Sequence, residues 1–206
     1  MLSTTSLNAL IGISKHAAFA PFVKHVIIGL DQYQATPHGR FHTWTSIAQT
    51  EAFRDGWADQ FALTSSGRDR EMLAEAFRNL PNLTTIGIRD YNAQGRTRDE
   101  DRWRSYGSPT VARQTGIALR GASSEYASRV FTLLLQALAD ANKPIPTIEV
   151  ILRSHGTGLS DFAFFLPAQT NLKPLLNGLQ QLLLTLSFTE HMSVTNSVSQ
   201  NNVSSK

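Results

Sequence analysis

The chain of 206 residues contains no cysteine. This absence excludes disulfide bonds, thiolate metal sites and cysteine nucleophiles together. It is compatible with the cytoplasm or the nucleus, where disulfides are rare. Charged residues are also scarce, at 17 % of the chain, and the formal net charge is only +3. Such a modest balance gives no reason to expect a nucleic-acid partner.

Long apolar segments are missing as well. No run approaches the roughly 18 apolar residues of a membrane span. The N-terminus has no basic segment, and the apolar run over residues 7–13 is interrupted by Asn8 and Gly12, so a secretory signal is not expected. The sequence therefore predicts a soluble protein of the cytoplasm or nucleus with no membrane partner. A chain of this length suffices for one domain that buries about 70 % of its unfolded surface.

What the chain does contain is a repeated spacing of aliphatic residues. The spacing L-x-x-L-x-L occurs four times, at Val23/Val26/Ile28, Leu83/Ile86/Ile88, Ile145/Ile148/Val150 and Leu179/Leu182/Leu184. A helical pattern precedes each copy, and a proline ends the helix before three of them. This is the strand spacing of a leucine-rich repeat, in which each unit adds one strand to a solenoid. Buried parallel strands of another α/β fold are the alternative.

Helical periodicity alternates with these strands along the chain. The predicted elements are a helix capped by Ser6, a strand over 23–30, a helix from Thr43 and another after Gly67, a strand over 83–88, a helix over 123–141, a strand over 147–152, a short helix over 172–178 and a strand over 182–186. The sequence therefore predicts an α/β fold, an irregular leucine-rich-repeat-like solenoid with parallel strands alternating with helices, over residues 1–189. Residues 190–206 are rich in Ser, Asn, Val and Gln and are predicted to form a disordered C-terminal tail.

The periodicity is lost over residues 89–121, a segment rich in arginine. A long insertion without a pattern is usually functional or mobile in a compact domain. Arginines beside aromatic residues bind acidic peptides or phosphate through bidentate hydrogen bonds and stacking. We therefore predict a partner-binding site that includes Arg89, Arg96, Arg98, Arg102, Trp103, Arg104 and Tyr106. The alternative is a solvated loop whose arginines pair with Asp99, Glu100 and Asp101.

Patterns that would indicate catalysis or metal binding are incomplete. His155, Ser160 and Asp161 could form a hydrolytic triad, but the Gly-x-Ser-x-Gly elbow is missing. His38 and His42 lack the helix and the further ligands that a metal site needs. We predict no enzymatic activity, no cofactor and no metal, with a small α/β hydrolase as the alternative.

Three segments resemble a known family. They are residues 10–31, with Leu-Ile-Gly-Ile-Ser-Lys-His and Val-Lys-His-Val-Ile-Ile-Gly-Leu-Asp, residues 80–91, Leu-Pro-Asn-Leu-Thr-Thr-Ile-Gly-Ile-Arg-Asp-Tyr, and residues 103–116, Trp-Arg-Ser-Tyr-Gly-Ser-Pro-Thr-Val-Ala-Arg-Gln-Thr-Gly. Together they are similar to filamentous-fungal F-box proteins with degenerate leucine-rich repeats. The resemblance extends to Phe188.

This resemblance implies a role in recognition. Members of the family carry an F-box, which docks on the adaptor of an SCF-type ubiquitin ligase, followed by repeats that select protein substrates. The F-box opens with a Leu-Pro-x-Glu type run, whereas here the only Leu-Pro before a strand, at Leu80 and Pro81, lies inside a repeat. The resemblance therefore implies a non-catalytic substrate-recognition region that binds a protein partner, and it does not extend to the SCF adaptor contact. A truncated or nonfunctional fragment of such a protein is the alternative.

Overall fold

Four short strands, one from each aliphatic segment, form a parallel sheet in the computed structural model. The structure describes residues 2–33, 46–90, 106–117, 119, 123–152, 158–159 and 172–186. The elements in chain order are α1 (Thr4–Lys15), a 3₁₀ turn (Ala20–Phe22), β1 (His25–Gly29), α2 (Ile47–Ser65), α3 (Arg68–Arg78), β2 (Thr85–Arg89), α4 (Ser108–Thr115), α5 (Ser124–Ala141), β3 (Thr147–Ile151), α6 (Lys173–Gly178) and β4 (Gln181–Leu184).

The strands follow one another in the sheet in the same order as in the chain, β1-β2-β3-β4, and all pairs are parallel. The register places the corresponding aliphatic residues of the four copies next to each other. One cross-strand row is Val26, Ile86, Ile148 and Leu182, and a second is Ile28, Ile88, Val150 and Leu184. The sheet is open, with β1 and β4 at its edges. The predicted α/β class, with parallel strands alternating with helices, is confirmed.

The main core lies between the sheet and the helices α1, α3 and α5. The apolar stripe of α3 contributes Leu73 and Phe77, both fully buried, and α5 contributes Val130, Leu134 and Leu138. Helix α3 lies between α1 and α5, in contact with both. Because burying each such side chain stabilises by roughly 1.5 to 3 kcal/mol, this stripe outweighs local helix propensity.

Helix α1 begins earlier than predicted. The prediction that Ser6 caps it is wrong, because the Ser3 hydroxyl accepts a hydrogen bond of 3.2 Å from the Ser6 backbone N–H. Leu2 before the cap and Leu7 in the first turn are both buried in the main core. These two positions form a hydrophobic staple, which fixes the helix start three residues earlier.

A second, smaller core involves α2 and α4. Phe53, Val111, Ile117 and Leu119 are its buried members, with Tyr33 and Trp57 packed against it. The prediction of an insertion without regular structure over residues 89–121 is therefore wrong over Ser108–Thr115, where α4 forms. That helix has eight residues, of which only Val111 and Thr115 are buried, so it offers too few apolar positions for a periodic pattern. Across the parts of the chain that the structure describes, no helix has the length and hydropathy needed to cross a membrane.

Candidate functional site

The sheet carries a group of charged side chains on the face that points away from the main core. Successive side chains of a strand point to opposite faces. Since Ile86, Ile88, Ile148 and Val150 are in the main core, Gly87, Arg89 and Glu149 point to the other face. The Glu149 Oε2 atom lies 3.7 Å from an Arg89 Nη2 atom and 3.8 Å from the His25 Nε2 atom. Glu149 is thus the centre of a cluster that draws one residue from each of three strands.

Gly87 lies on the middle strand beside this cluster. His25 lies on β1 and Glu149 on β3, with β2 between them. A Cβ atom placed on Gly87 would lie 3.4 Å from the Ile27 Cγ1 atom and 3.9 Å from the Glu149 Cβ atom. A larger side chain at position 87 would fill the space above β2 across which His25 and Glu149 approach each other.

The burial of the cluster differs among its members. Arg89 and Glu149 are each only 5 % exposed, whereas His25 is exposed. A buried carboxylate needs a partner to offset the loss of hydration, and the Arg89 guanidinium supplies the opposite charge. The pair holds the carboxylate in place beside an imidazole that solvent reaches. The arrangement therefore presents an exposed imidazole next to a buried ion pair at the surface of the sheet.

Arg89, which was predicted to belong to a partner-binding insertion, lies in a buried strand instead. Arg89 is the last residue of β2 and is buried. It follows Ile86 and Ile88 in the strand, so its side chain alternates to the face opposite these isoleucines. Arg89 therefore acts in the structure as the charge partner of Glu149.

A cleft of about 450 Å³ lies between the start of α1, helix α2 and helix α4. Tyr106, a second predicted site residue, lines it and is 66 % exposed. The remaining lining side chains are mostly hydroxyls and carboxylates: Ser3, Thr5, Ser6, Tyr33, Asp55, Asp59, Thr110 and Gln114. Asp55 and Asp59 are one helical turn apart and therefore lie on the same face of α2.

Hydrogen bonds fix the walls of this cleft. The Ser6 hydroxyl donates to the Tyr106 carbonyl oxygen at 3.2 Å, and the Thr4 backbone N–H donates to the Asp59 carboxylate at 3.2 Å. The Asp59 carboxylate thereby satisfies one of the free N–H groups at the start of α1. Burial raises the pKa of Tyr33, and the nearby Asp59 charge raises it further.

Of the predicted site residues, the structure describes Arg89 and Tyr106, and it places these two apart. Arg89 lies in the sheet, and the lining of the cleft that contains Tyr106 does not include it. The other predicted partner-binding residues, Arg96, Arg98, Arg102, Trp103 and Arg104, lie outside the described residues. His38, His42, His155, Ser160 and Asp161, and the predicted C-terminal tail, lie outside them too.

Sequence reasoning missed His25 and Glu149 as site residues. Glu149 stands between Ile148 and Val150 in an otherwise apolar strand. A charge in such a run is a signal, because a buried carboxylate requires a partner. His25 offered no signal of its own, since its proximity to Glu149 depends on the register of three strands.

In the part of the chain that the structure describes, no three His, Asp or Glu residues are grouped so that they could hold a metal ion. Comparisons of the chain with models of protein families, with curated proteins and with solved structures found no match.

Proposed function

We propose that the chain is a non-catalytic protein-interaction module, an irregular leucine-rich-repeat-like solenoid that resembles the substrate-recognition region of a fungal F-box protein. One observation carries the proposal. The four L-x-x-L-x-L copies occupy equivalent positions in a parallel sheet whose strand order equals the chain order. A solenoid in which each unit adds one strand to the sheet requires this relation.

The proposed recognition surface is the row of side chains at the start of the four strands, on the sheet face that points away from the main core. His25, Thr85, Thr147 and Gln181 form one cross-strand row on this face. The two outer members are exposed and the two inner members half-buried, and all four can form hydrogen bonds. A protein segment that lies across the strands would contact one residue from each unit. The Glu149 carboxylate lies 3.8 Å from the His25 imidazole, on the same face.

Site-specific photo-crosslinking tests the proposal. One variant carries a photoreactive amino acid in place of His25, and the matched control carries it at Glu51, which is exposed on α2. We expect a discrete set of proteins to crosslink at position 25 and not at position 51. Each purified candidate should then bind the wild-type chain at least about tenfold more tightly than His25→Ala, corresponding to about 1.4 kcal/mol. Equal crosslinking at both positions, or unchanged binding by His25→Ala, would contradict a recognition role for this face.

The arginine-rich segment is tested separately with the same partner. Charge reversal at Arg102 and Arg104 should weaken the binding of an acidic partner and make binding less sensitive to salt. Unchanged affinity for the charge-reversed variant would remove this segment from the proposed site and leave the role of the sheet face intact.

A further inference from the structure

Both ends of the sheet and its helix layer expose large apolar side chains. The tail surface, at the β4 edge, consists of Leu176, Leu182, Leu183 and Leu186, each between 44 % and 56 % exposed. The head surface, from the elements that precede β1 in the chain, consists of Ile13 of α1 together with Phe19 and Phe22, of which Phe22 is 81 % exposed. Exposed apolar groups of this size at opposite ends of an array indicate places where other protein surfaces bind.

The interior of the array shows what covers an equivalent surface. Leu182 occupies the same cross-strand row as Val26, Ile86 and Ile148, which are at most 6 % exposed. On the side towards β4, each of these three residues has the strand of the next unit beside it. The element that fits the tail surface is therefore another helix and parallel strand in the same register.

The backbone of β4 is arranged to accept that strand. The N–H groups of Gln181 and Thr185 donate to Pro146 and Val150 on the β3 side, at 2.9 and 3.0 Å. Because the direction of these groups alternates along a strand, those of Leu182 and Leu184 point to the outer edge. Strand β4 reads Gln-Leu-Leu-Leu and has neither the lysine nor the proline that commonly protects an edge from pairing.

We propose that the head surface of a second copy of this chain covers the tail surface, with β1 of that copy paired in parallel to β4. Continuing the observed register places Gln181 beside His25, Leu182 beside Val26, Leu183 beside Ile27 and Leu184 beside Ile28. No pair brings two like charges together, and three of the four are apolar on both sides. Helix α6 and its exposed Leu176 then lie towards α1 and its exposed Ile13.

This contact is heterologous, because the two copies use different surfaces. The same chain can therefore add copies at both ends, so the assembly grows with protein concentration. The inference rests on the strand order and the exposed ends. It shares His25 and Gln181 with the proposed recognition row, so a crosslink from position 25 to a second copy would support this contact and not the recognition of another protein.

Sedimentation velocity on the full chain over roughly a hundredfold range of concentration tests the contact. We expect the wild-type chain to associate progressively. A tail-blocked variant, Leu182→Lys, and a head-blocked variant, Ile13→Lys with Phe22→Lys, should each remain monomeric. Since all three residues are exposed, the thermal melting midpoints should stay close to that of the wild type. Should the lysine variant of β4 fail to fold, Leu182→Pro serves the same purpose, because it removes an outward N–H group and leaves the bonds of Gln181 and Thr185 intact.

Mixing the two blocked variants gives the decisive readout. The tail-blocked variant keeps an intact head, and the head-blocked variant keeps an intact tail, so an equimolar mixture should form dimers with one copy of each. A wild-type chain that stays monomeric throughout overturns the inference. Self-association of the head-blocked variant to the wild-type extent also overturns it, since that result would indicate a symmetric contact between two tails.

Discussion

At the scale of single residues, a buried charge joins α3 to α5. Asp69 is 2 % exposed, and its carboxylate accepts hydrogen bonds of 2.9 Å from the Arg70 backbone N–H and 3.1 Å from the Arg129 guanidinium. Burial raises the pKa of Asp69, and the Arg129 charge offsets part of that rise. The same guanidinium lies 6.0 Å from the centre of the Tyr126 ring. The side chains of Asp69, Arg129 and Tyr126 thus pack together where α3 meets the start of α5.

Tyr126 links this site to stability at alkaline pH. Burial raises the pKa of Tyr126 to about 12 in the folded chain, whereas an unfolded tyrosine titrates near pH 10. Between these values the unfolded chain loses a proton that the folded chain keeps, so the free energy of unfolding falls as the pH rises. Tyr126→Phe should remove this part of the decline, while Tyr106→Phe, at an exposed position, should retain it. Urea denaturation midpoints measured at about pH 8 and about pH 11 provide the check, and equal declines in the wild type and Tyr126→Phe would contradict the assignment.

At the scale of elements, a glycine in the middle of α2 makes room for an aromatic ring. A Cβ atom on Gly56 would overlap the Cζ atom and the hydroxyl oxygen of Tyr33. The Tyr33 ring also contacts Phe53 edge to face, with 5.2 Å between ring centres. A glycine within a helix costs roughly 0.5 to 1 kcal/mol relative to alanine. In α2 this cost is offset by the packing of Tyr33 into the smaller core.

A double-mutant cycle separates the two contributions. Gly56→Ala should destabilise the wild-type chain, because it displaces the Tyr33 ring, and should stabilise the Tyr33→Ala background by roughly 0.5 to 1 kcal/mol. Gly12→Ala in α1 is the matched control, since nothing lies within 4 Å of its Cβ position, and it should stabilise both backgrounds. Denaturant unfolding gives the four free energies, and the prediction fails if Gly56→Ala has the same sign with and without the Tyr33 ring.

The same elements show what a sequence pattern can predict. All four strands and five of the six described α-helices were expected, because each has an apolar spacing or a clear stop signal within a few residues. Helix α4 was missed because its short buried face gives no period. The approach of His25 to Glu149 and the fit of Tyr33 over Gly56 join residues far apart in the chain. Such contacts depend on register and helix position, which local spacing does not determine.

At the scale of the whole molecule, the two apolar cores differ greatly in size. The main core extends through the sheet, α1, α3 and α5, whereas the smaller core has the four buried members Phe53, Val111, Ile117 and Leu119. Regions with fewer buried apolar contacts open locally at a lower free energy than the rest of a protein. The half of α2 that contains Phe53 and the whole of α4 should therefore open before α3 and α5.

Hydrogen exchange followed by mass spectrometry tests this order. In the wild type, amides of α4 and of the first half of α2 should exchange faster than those of α3 and α5. Phe53→Ala should lower the opening free energy of the smaller core by roughly 3 to 5 kcal/mol, the usual cost of removing a buried phenylalanine. Ile47→Ala is the control, because Ile47 is exposed in the same helix. If Phe53→Ala instead reduced protection in α3 and α5 by the same amount as in α4, the two cores would form one cooperative unit. The smaller core could then not open unless the main core opened with it.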